Sequence, residues 1–505
     1  MAFDFVKAAV DAVAQEFVTI EGQSGPTVAA RFYYMAGTAL READQLFDDT
    51  RHSSLLTRSG SRDDFARELS CLEKKVHKLS AGLCTQDQAN FRQSIIAHTA
   101  LNVLREEAPA AANLFEDAFA KNDTYGGSLQ MQVDCISSRL ARMITKVFNA
   151  DGAAEAVALP YKPQNSGPDK VRVMDAWTPE YNVSDDPTSG LQSYLTFGWG
   201  DTEAIISDSR IDSLIGGVKL PEPFLLDPGA TADLNARTIT TADGTVLPIS
   251  RELVGNLINP EFITQTERVI QVSAELTDEQ KFIAEFFEDG PGTGFPPGTM
   301  MSFAQFAEED RGLELEEATD LYFAMGAALH TAGVATWQQK GDTDYVRPVR
   351  AVRELSEVGL LGNAADVDPI TGRSQFNAYS RNIFNTDLID GTTWETYQNP
   401  SGGYSPPFAE YTSGHSTFSA AGARVLELAV GEKFGGEVTG RGVFEPVSEN
   451  EIVTLKWDTW RDAGIDAGLS RIYGGIHFDD GNLEGQKLGA LIGETTFEVV
   501  SQLSA

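Results

Sequence analysis

Residues 411–431 read YTSGHSTFSAAGARVLELAVG, and this stretch decides how the rest of the chain is read. From Ser416 to Val430 small and apolar residues run without a proline and Gly431 follows, which predicts a helix that stops there. Thr412-Ser413-Gly414-His415 sets a hydroxyl, a glycine and an imidazole at the start of that helix. The first amides of a helix, with the positive end of the dipole behind them, favour an anion.

Two further segments flank it. Upstream, Lys340-GDTDYV-Arg347-Pro348 puts a lysine and an arginine seven positions apart at the end of a predicted helix; downstream, Ser470-Arg471-IYGGI-His477 uses Gly474 and Gly475 to break a helix and project a histidine. Each segment alone is weak. Basic residues before proline often just end helices, and Ser-Gly-His is commonly a cap with an incidental histidine. Together, in one helical region, they supply three cations, a hydroxyl, two histidines and a helix start, which is the inventory of a tetrahedral-oxyanion site. Arginine forks bind such oxygens bidentately and lysine adds a point charge.

The overall charge makes that pocket more telling. Thirty-nine Lys and Arg against seventy-four Asp and Glu leave the 505 residues at −35. A surface so acidic repels phosphate backbones and anionic headgroups, so neither nucleic acid nor a membrane surface is an expected partner. Hydrophobic residues at 42% and charged ones at 22% are a globular balance, which excludes a disordered chain. No apolar run reaches the roughly 18 residues of a membrane helix. The most apolar stretch, Leu321 to Trp337, is interrupted by His330 and Thr331 and reads as a buried helix. The opening MAFDFVKAAVDAVAQEF lacks the basic start and apolar block of a secretory signal, so a cytoplasmic location is expected, with a secreted or periplasmic one left open. Cys71, Cys84 and Cys135 make neither a disulfide scaffold nor a metal finger, and a Cys71–Cys84 bridge stays open.

Residues 1–150 read as helices, with apolar faces over Phe32–Leu46, Asp63–Leu83 and Phe91–Leu104. Residues 151–270 are rich in proline, glycine, aspartate and threonine and predict long irregular connections. Residues 271–505 predict a second bundle. It includes a helix capped by Thr277 with Gln280 three residues on, a loop at GPGTGFPPGT, and helices over Leu313–Gln339, Ile452–Tyr473 and Asn482–Leu503. The expected fold is all-α, in two helical bundles with long irregular connections. GPGTG at 290–294 is not a nucleotide loop, since no strand precedes it and two prolines follow. His52, His77, His98 and His330 have no partner spacing, and His330 reads as a core histidine.

The pattern K-x6-RP, then SGH, then SR-x5-H resembles the vanadium-dependent haloperoxidases, whose active site is shared with the type 2 phosphatidic-acid phosphatases. The resemblance spans roughly residues 275 to 490. It implies one vanadate per chain and an all-α fold of two bundles. By that resemblance His477 would be the ligand of vanadium, or the nucleophile in a phosphatase. Lys340, Arg347 and Arg471 would neutralise the equatorial oxygens, Ser413 and the Gly414 amide would hydrogen-bond them, and His415 would be the acid–base. FFEDGPGTGFPPG at 286–298 is similar to the haloperoxidase branch, in which an aspartate, here Asp289, supports the second arginine. Trp337 and Phe408 resemble the aromatic pair bordering the halide site of chloroperoxidases. The activity implied is oxidation of bromide or iodide, with chloride plausible, by hydrogen peroxide to hypohalous acid, which halogenates small organic acceptors. The alternative is an acid phosphatase using the same residues, and a non-catalytic oxyanion-binding protein is a third reading. A homodimer stays open. Two departures stand out. Thr412 replaces the usual proline, and position 481 is glycine where the family carries an aspartate four residues past the last histidine. Asp479 and Asp480 are the candidates to orient His477 instead, through its other ring nitrogen.

Overall fold

Every residue from Leu321 to Trp337 is buried within one long helix, Leu315–Thr343. A helix that is apolar all round cannot lie on a surface. Helices Pro26–Gln45, Phe295–Arg311, Gly414–Val430 and Asp479–Ser504 pack around it. The computed structural model describes residues 5–48, 54–58, 63–115, 127–398, 403–446 and 451–504, and His52 lies outside these.

The first half holds α1 (Phe5–Ala14), α2 (Pro26–Gln45), α3 (Leu55–Arg58), α4 (Asp63–Ser80), α5 (Thr85–Glu107), α6 (Gly127–Phe148) and α7 (Ala153–Ala158). The middle carries α8 (Asp208–Ile215), a small antiparallel sheet of β1 (Thr231–Asp233), β2 (Thr238–Thr240) and β3 (Val246–Pro248), and α9 (Pro260–Ala274). Then come α10 (Asp278–Phe286), α11 (Phe295–Arg311), the axial helix as α12 (Leu315–Thr343) and α13 (Pro348–Glu357). The hairpin β4 (Gln375–Ser380)–β5 (Asn385–Asp390), α14 (Gly414–Val430), the pair β6 (Lys433–Gly440)–β7 (Val453–Thr459), α15 (Trp460–Tyr473) and α16 (Asp479–Ser504) complete it. The protein is mostly helical, as expected, with three small antiparallel sheets among the described residues.

Two differences from the expected elements have plain causes. Val453–Thr459 is a strand rather than the start of a helix. It alternates exposed and buried positions with Leu455 and Trp457 inward, and Thr459 caps the helix that follows. FPPG, read as loop, opens α11 instead, because prolines in a first helical turn give up no hydrogen bond. The capping box at Thr277 and Gln280 is present on α10.

Close backbone approach builds the frame of the site. α2 crosses α12 where both are glycine, at Gly37 and Gly326: a Cβ on Gly37 would fall 2.5 Å from the Tyr322 carbonyl oxygen, and one on Gly326 2.7 Å from Tyr34 Cα. α14 packs on α12, α15 and α16. On α16 the glycines at 485, 489 and 493 face α14, and a Cβ on Gly489 would fall 2.2 Å from the Thr417 carbonyl oxygen. The irregular middle clamps the site segments from outside. Val346 donates to the Asp175 carbonyl (3.0 Å), Trp177 to that of Asp344 (2.6 Å) and Leu195 to that of Pro407 (3.0 Å). Buried Arg350 on α13 grips Glu180 through Nη2 at 2.6 Å. A segment that sequence reads as mere connection is therefore structural support.

The remaining histidines are not a site. Buried His330 lies 3.0 Å from the Glu203 carbonyl through Nε2 and stacks on Tyr34 at 5.6 Å between centroids, as the core reading expects. His77 pairs with the Leu46 carbonyl and His98 lies near Asp134. Cys71, Cys84 and Cys135 are exposed free thiols, with no Cys71–Cys84 bridge. Among the described residues no helix is long and apolar enough to cross a membrane.

Candidate oxyanion site

Three chain segments meet at the inner end of α12. Lys340 sits in its last turn, Arg347 is the residue before α13, Ser413 caps α14, and Arg471 lies in the last turn of α15, with His477 in the connection to α16. Ser413 accepts from the Ser416 amide through its side chain at 3.3 Å, which leaves its own hydroxyl hydrogen to donate. Its backbone amide is tied to the Gly481 carbonyl at 2.9 Å, so α14 and α16 register at the site itself.

The three cations are buried, at 0% (Lys340), 2% (Arg347) and 3% (Arg471) exposure. Backbone carbonyls hold them. Lys340 Nζ donates to Ala409 (2.7 Å) and Glu410 (2.8 Å). Arg347 donates through Nε to Phe408 (2.9 Å) and through Nη1 to Ile476 (2.9 Å), and Arg471 Nη1 donates to Glu288 (3.0 Å) and Phe287 (3.2 Å). Among the described residues none of the three has a carboxylate oxygen within ion-pairing reach. Burial of the charge pushes all three down: Lys340 well below its ordinary range, Arg347 to about 10 and Arg471 to about 9. Glu410 pulls Lys340 and Arg347 the other way, and Asp289 and Glu288 do so for Arg471, but burial outweighs them, so the cluster remains unfavourable by itself. An anion between them removes that penalty.

His477 is prepared as an acceptor. Arg347 Nη1 lies 2.9 Å from its Nε2, and Glu410 Oε1 lies 2.6 Å from its Nδ1. The guanidinium only donates and the carboxylate accepts, so the hydrogen is assigned to Nδ1 and the Nε2 lone pair faces the cations. Burial, with Arg347 and Lys340 adding to it, holds the ring's pKa well below its ordinary value and keeps it neutral. His415, the first residue of α14 after Gly414, is tied through Nε2 to the Glu288 carbonyl at 3.1 Å, which leaves Nδ1 as its basic nitrogen. Burial and then Arg471 depress this ring too.

Neither Asp479 nor Asp480 orients His477. Asp479 faces Arg268 at 3.6 Å and Asp480 pairs with Lys219 at 3.1 Å. Both open α16 on its outer side, where basic side chains reach them. The residue in that role is Glu410, fully buried, which was not singled out from sequence. The available signal was a lone carboxylate in PPFAEY, directly before TSGH. Asp289 is near Arg471 but bonds Thr299 at 2.8 Å, while Arg471 itself rests on carbonyls. Burial raises the Asp289 carboxyl to about 6, against the pull of Thr299 and Arg471.

A cavity of about 330 Å³ opens onto this cluster, with Trp337, Phe408, His415, Arg471 and His477 in its wall and Pro406, Pro407 and Phe295 towards the mouth. The rings of Trp337 and Phe408 are 4.9 Å apart, and Lys340 Nζ lies 5.8 Å and 5.2 Å from their centroids. Their faces keep water off the ammonium. A larger groove, about 670 Å³ between α8, α14 and α16, contains none of these residues.

The donor set fits vanadate. One neutral imidazole lone pair, three cations, the Ser413 hydroxyl and the helix start at Gly414 suit a tetrahedral oxyanion that accepts one further ligand. Buried Arg471 Nε has no hydrogen-bond partner, as expected of a donor kept for that anion. No described group of three His, Cys, Asp or Glu side chains offers a conventional cation site.

The fold is similar to that of known proteins. Residues 320–505 match the family model described as VCPO second helical-bundle domain. No curated protein sequence matches the chain. Among solved structures, a holo-type bacterial vanadium-dependent chloroperoxidase is similar at TM-score 0.67 and 18% identity, over 95% of this chain and 93% of that one. Its apo-type counterpart gives 0.68 and 17%, over 95% of each chain. A bacterial vanadium-dependent iodoperoxidase gives 0.56 and 17%, over 98% and 94%. Residues 320–505 thus match the model of the second helical-bundle domain, and the chain as a whole shares the fold of these solved structures.

Proposed function

We propose that this protein is a vanadate-dependent haloperoxidase that uses hydrogen peroxide to oxidise bromide and iodide, with chloride within reach, and releases hypohalous acid to small organic acceptors. The observation that carries the proposal is the neutral His477 whose Nε2 faces Arg347 among three buried cations held by backbone carbonyls rather than by direct ion pairs. His477 Nε2 would hold the vanadium, Lys340, Arg347 and Arg471 its oxygens, and Ser413 and the Gly414 amide would fix the anion's orientation. When bound, vanadate supplies a Lewis-acidic centre that takes up peroxide without changing its oxidation state.

The protein's own groups do the rest. His415, on the cavity wall with Nδ1 as its basic nitrogen, would accept the proton of an incoming peroxide. Lys340, Arg347 and Arg471 would polarise the oxygens of the anion they hold. Trp337 and Phe408 border the path by which halide arrives, in a wall that excludes water.

The test uses purified protein incubated with orthovanadate and desalted. Bromination of a dye with peroxide and bromide is expected, lost in His477→Ala and strongly reduced in Lys340→Ala. Hydrolysis of p-nitrophenyl phosphate by vanadate-free protein, with no bromination, would transfer the same residues to a phosphatase. Silence in both assays with vanadate still bound would make this a binding protein. Assembly as a homodimer is part of the proposal, and a monomer mass by light scattering would remove it.

A further inference from the structure

The family's aspartate four residues past the last histidine is missing, yet His477 has a carboxylate on Nδ1. We propose that Glu410 is the positioning carboxylate of this site, supplied from the segment before the α14 cap rather than from α16, and that position 481 is glycine because the Glu410 carboxylate fills the space beside it. The inference rests on His477 being the vanadium-holding residue proposed above.

Three observations meet here. Glu410 Oε1 accepts from His477 Nδ1 at 2.6 Å and from the Phe478 amide at 3.0 Å, so it holds the ring and the backbone that carries it. A Cβ on Gly481 would fall 2.3 Å from Glu410 Oε1, 2.8 Å from Oε2 and 2.9 Å from Cδ. At such distances something must shift, so a residue other than glycine at 481 would push the Glu410 carboxylate from its place on His477. Finally, the Glu410 backbone is built into the anion cradle: its carbonyl accepts from Lys340 at 2.8 Å and its amide donates to the Tyr345 carbonyl at 3.0 Å. One residue therefore links the lysine and the histidine. With the carboxylate accepting at Nδ1, only the tautomer with a free Nε2 lone pair is populated. Glu410 touches no reacting atom; it acts through His477.

The experiment separates this from the proposed function by reading the histidine without vanadate. Histidine-selective 15N labelling of the full chain reports the His477 tautomer in vanadate-free protein, and equilibrium dialysis with orthovanadate reports affinity. Wild type is expected to show a protonated Nδ1 in a strong hydrogen bond. Glu410→Gln should weaken that signature and lower vanadate affinity about 10- to 100-fold, the usual effect of losing such a partner. Glu410→Ala with Gly481→Asp should restore both relative to Glu410→Ala alone. Gly481→Ala should damage wild type but leave Glu410→Ala unchanged, because the displaced carboxylate is then already gone. An unchanged tautomer and affinity in folded Glu410→Gln would overturn the positioning role. A double variant no better than Glu410→Ala would overturn the exchange with position 481. Wild type that binds no vanadate would sink the haloperoxidase reading, while the tautomer arm still decides the role of Glu410.

Discussion

Arg347 Nη1 lies 2.9 Å from His477 Nε2, so the nitrogen with the free lone pair already faces a guanidinium. An anion that binds His477 must take its place between the two and accept the hydrogen bond that Arg347 now gives. Arg347→Gln leaves a shorter side chain with an amide donor and removes the charge. Vanadate affinity is expected to fall by at least tenfold, since hydrogen bonds to charged groups contribute about 1.5–3 kcal/mol. Equilibrium dialysis measures this, and affinity equal to wild type would exclude Arg347 from the anion's shell.

The ring of His415 is expected to remain neutral through its ordinary titration range in the vanadate-free protein. Burial and the neighbouring Arg471 depress its pKa well below 6.5, so protonation comes only at lower pH. An anion among the cations offsets their repulsion and must raise that pKa. NMR titration with and without vanadate checks the sign: the midpoint should move up on binding, and a downward move would place the anion elsewhere.

Phe408 covers both Lys340 and Arg347, with its ring centroid 5.2 Å from each charged group. Phe408→Ala admits water to both. Halide KM is expected to rise severalfold, with vanadate affinity less affected, because cation–π contacts of this kind are worth about 0.5–2 kcal/mol. Steady-state bromination against bromide concentration tests it; an unchanged KM would remove Phe408 from the halide path.

Acid should destabilise the fold through His330. Its pKa falls from 6.5 in an exposed ring to about 4 in the folded core, with burial the main cause. Between those values the unfolded chain binds the proton more tightly, so stability is lost as pH falls from 6.5 towards 4. The slope of Tm against pH in that window is expected to flatten in His330→Phe, and an identical slope would assign acid sensitivity to other groups.

Gly326→Ala tests the crossing of α2 over α12. Its Cβ would meet Tyr34 Cα at 2.7 Å and the Tyr33 carbonyl oxygen at 2.8 Å, both backbone atoms that cannot turn aside. A loss of about 1–3 kcal/mol is expected, typical of overpacked cores. Denaturant unfolding measures it, and a stability equal to wild type would show that the helices can part freely.

The legible part of this protein was whatever local chemistry imposes. The apolar run at Leu321–Trp337 had to be buried, Thr277 and Gln280 had to cap a helix, and the spacing of Lys340, Arg347, Ser413, Gly414, His415, Arg471 and His477 carried a resemblance specific enough to imply one pocket. Each rests on residues close together in the chain, where period, capping and motif spacing act directly. The strand at Val453–Thr459 was misread because a short apolar run does not distinguish strand from helix until a partner, here Lys433–Gly440, pairs with it.

The partner of His477 was decided by tertiary structure alone. Asp479 and Asp480 were nearer in sequence, but the direction in which α16 begins turns both towards outer basic residues. Glu410 comes from 67 residues away, through the packing of its segment between Lys340 and Gly481. The same holds for the support given by residues 175–195 and for the glycine contacts between α14 and α16. Sequence determines which groups can bind an oxyanion, because that is a property of side chains and short spacings. Which carboxylate turns the imidazole's lone pair inward depends on distances across the fold, and only the packed chain sets those.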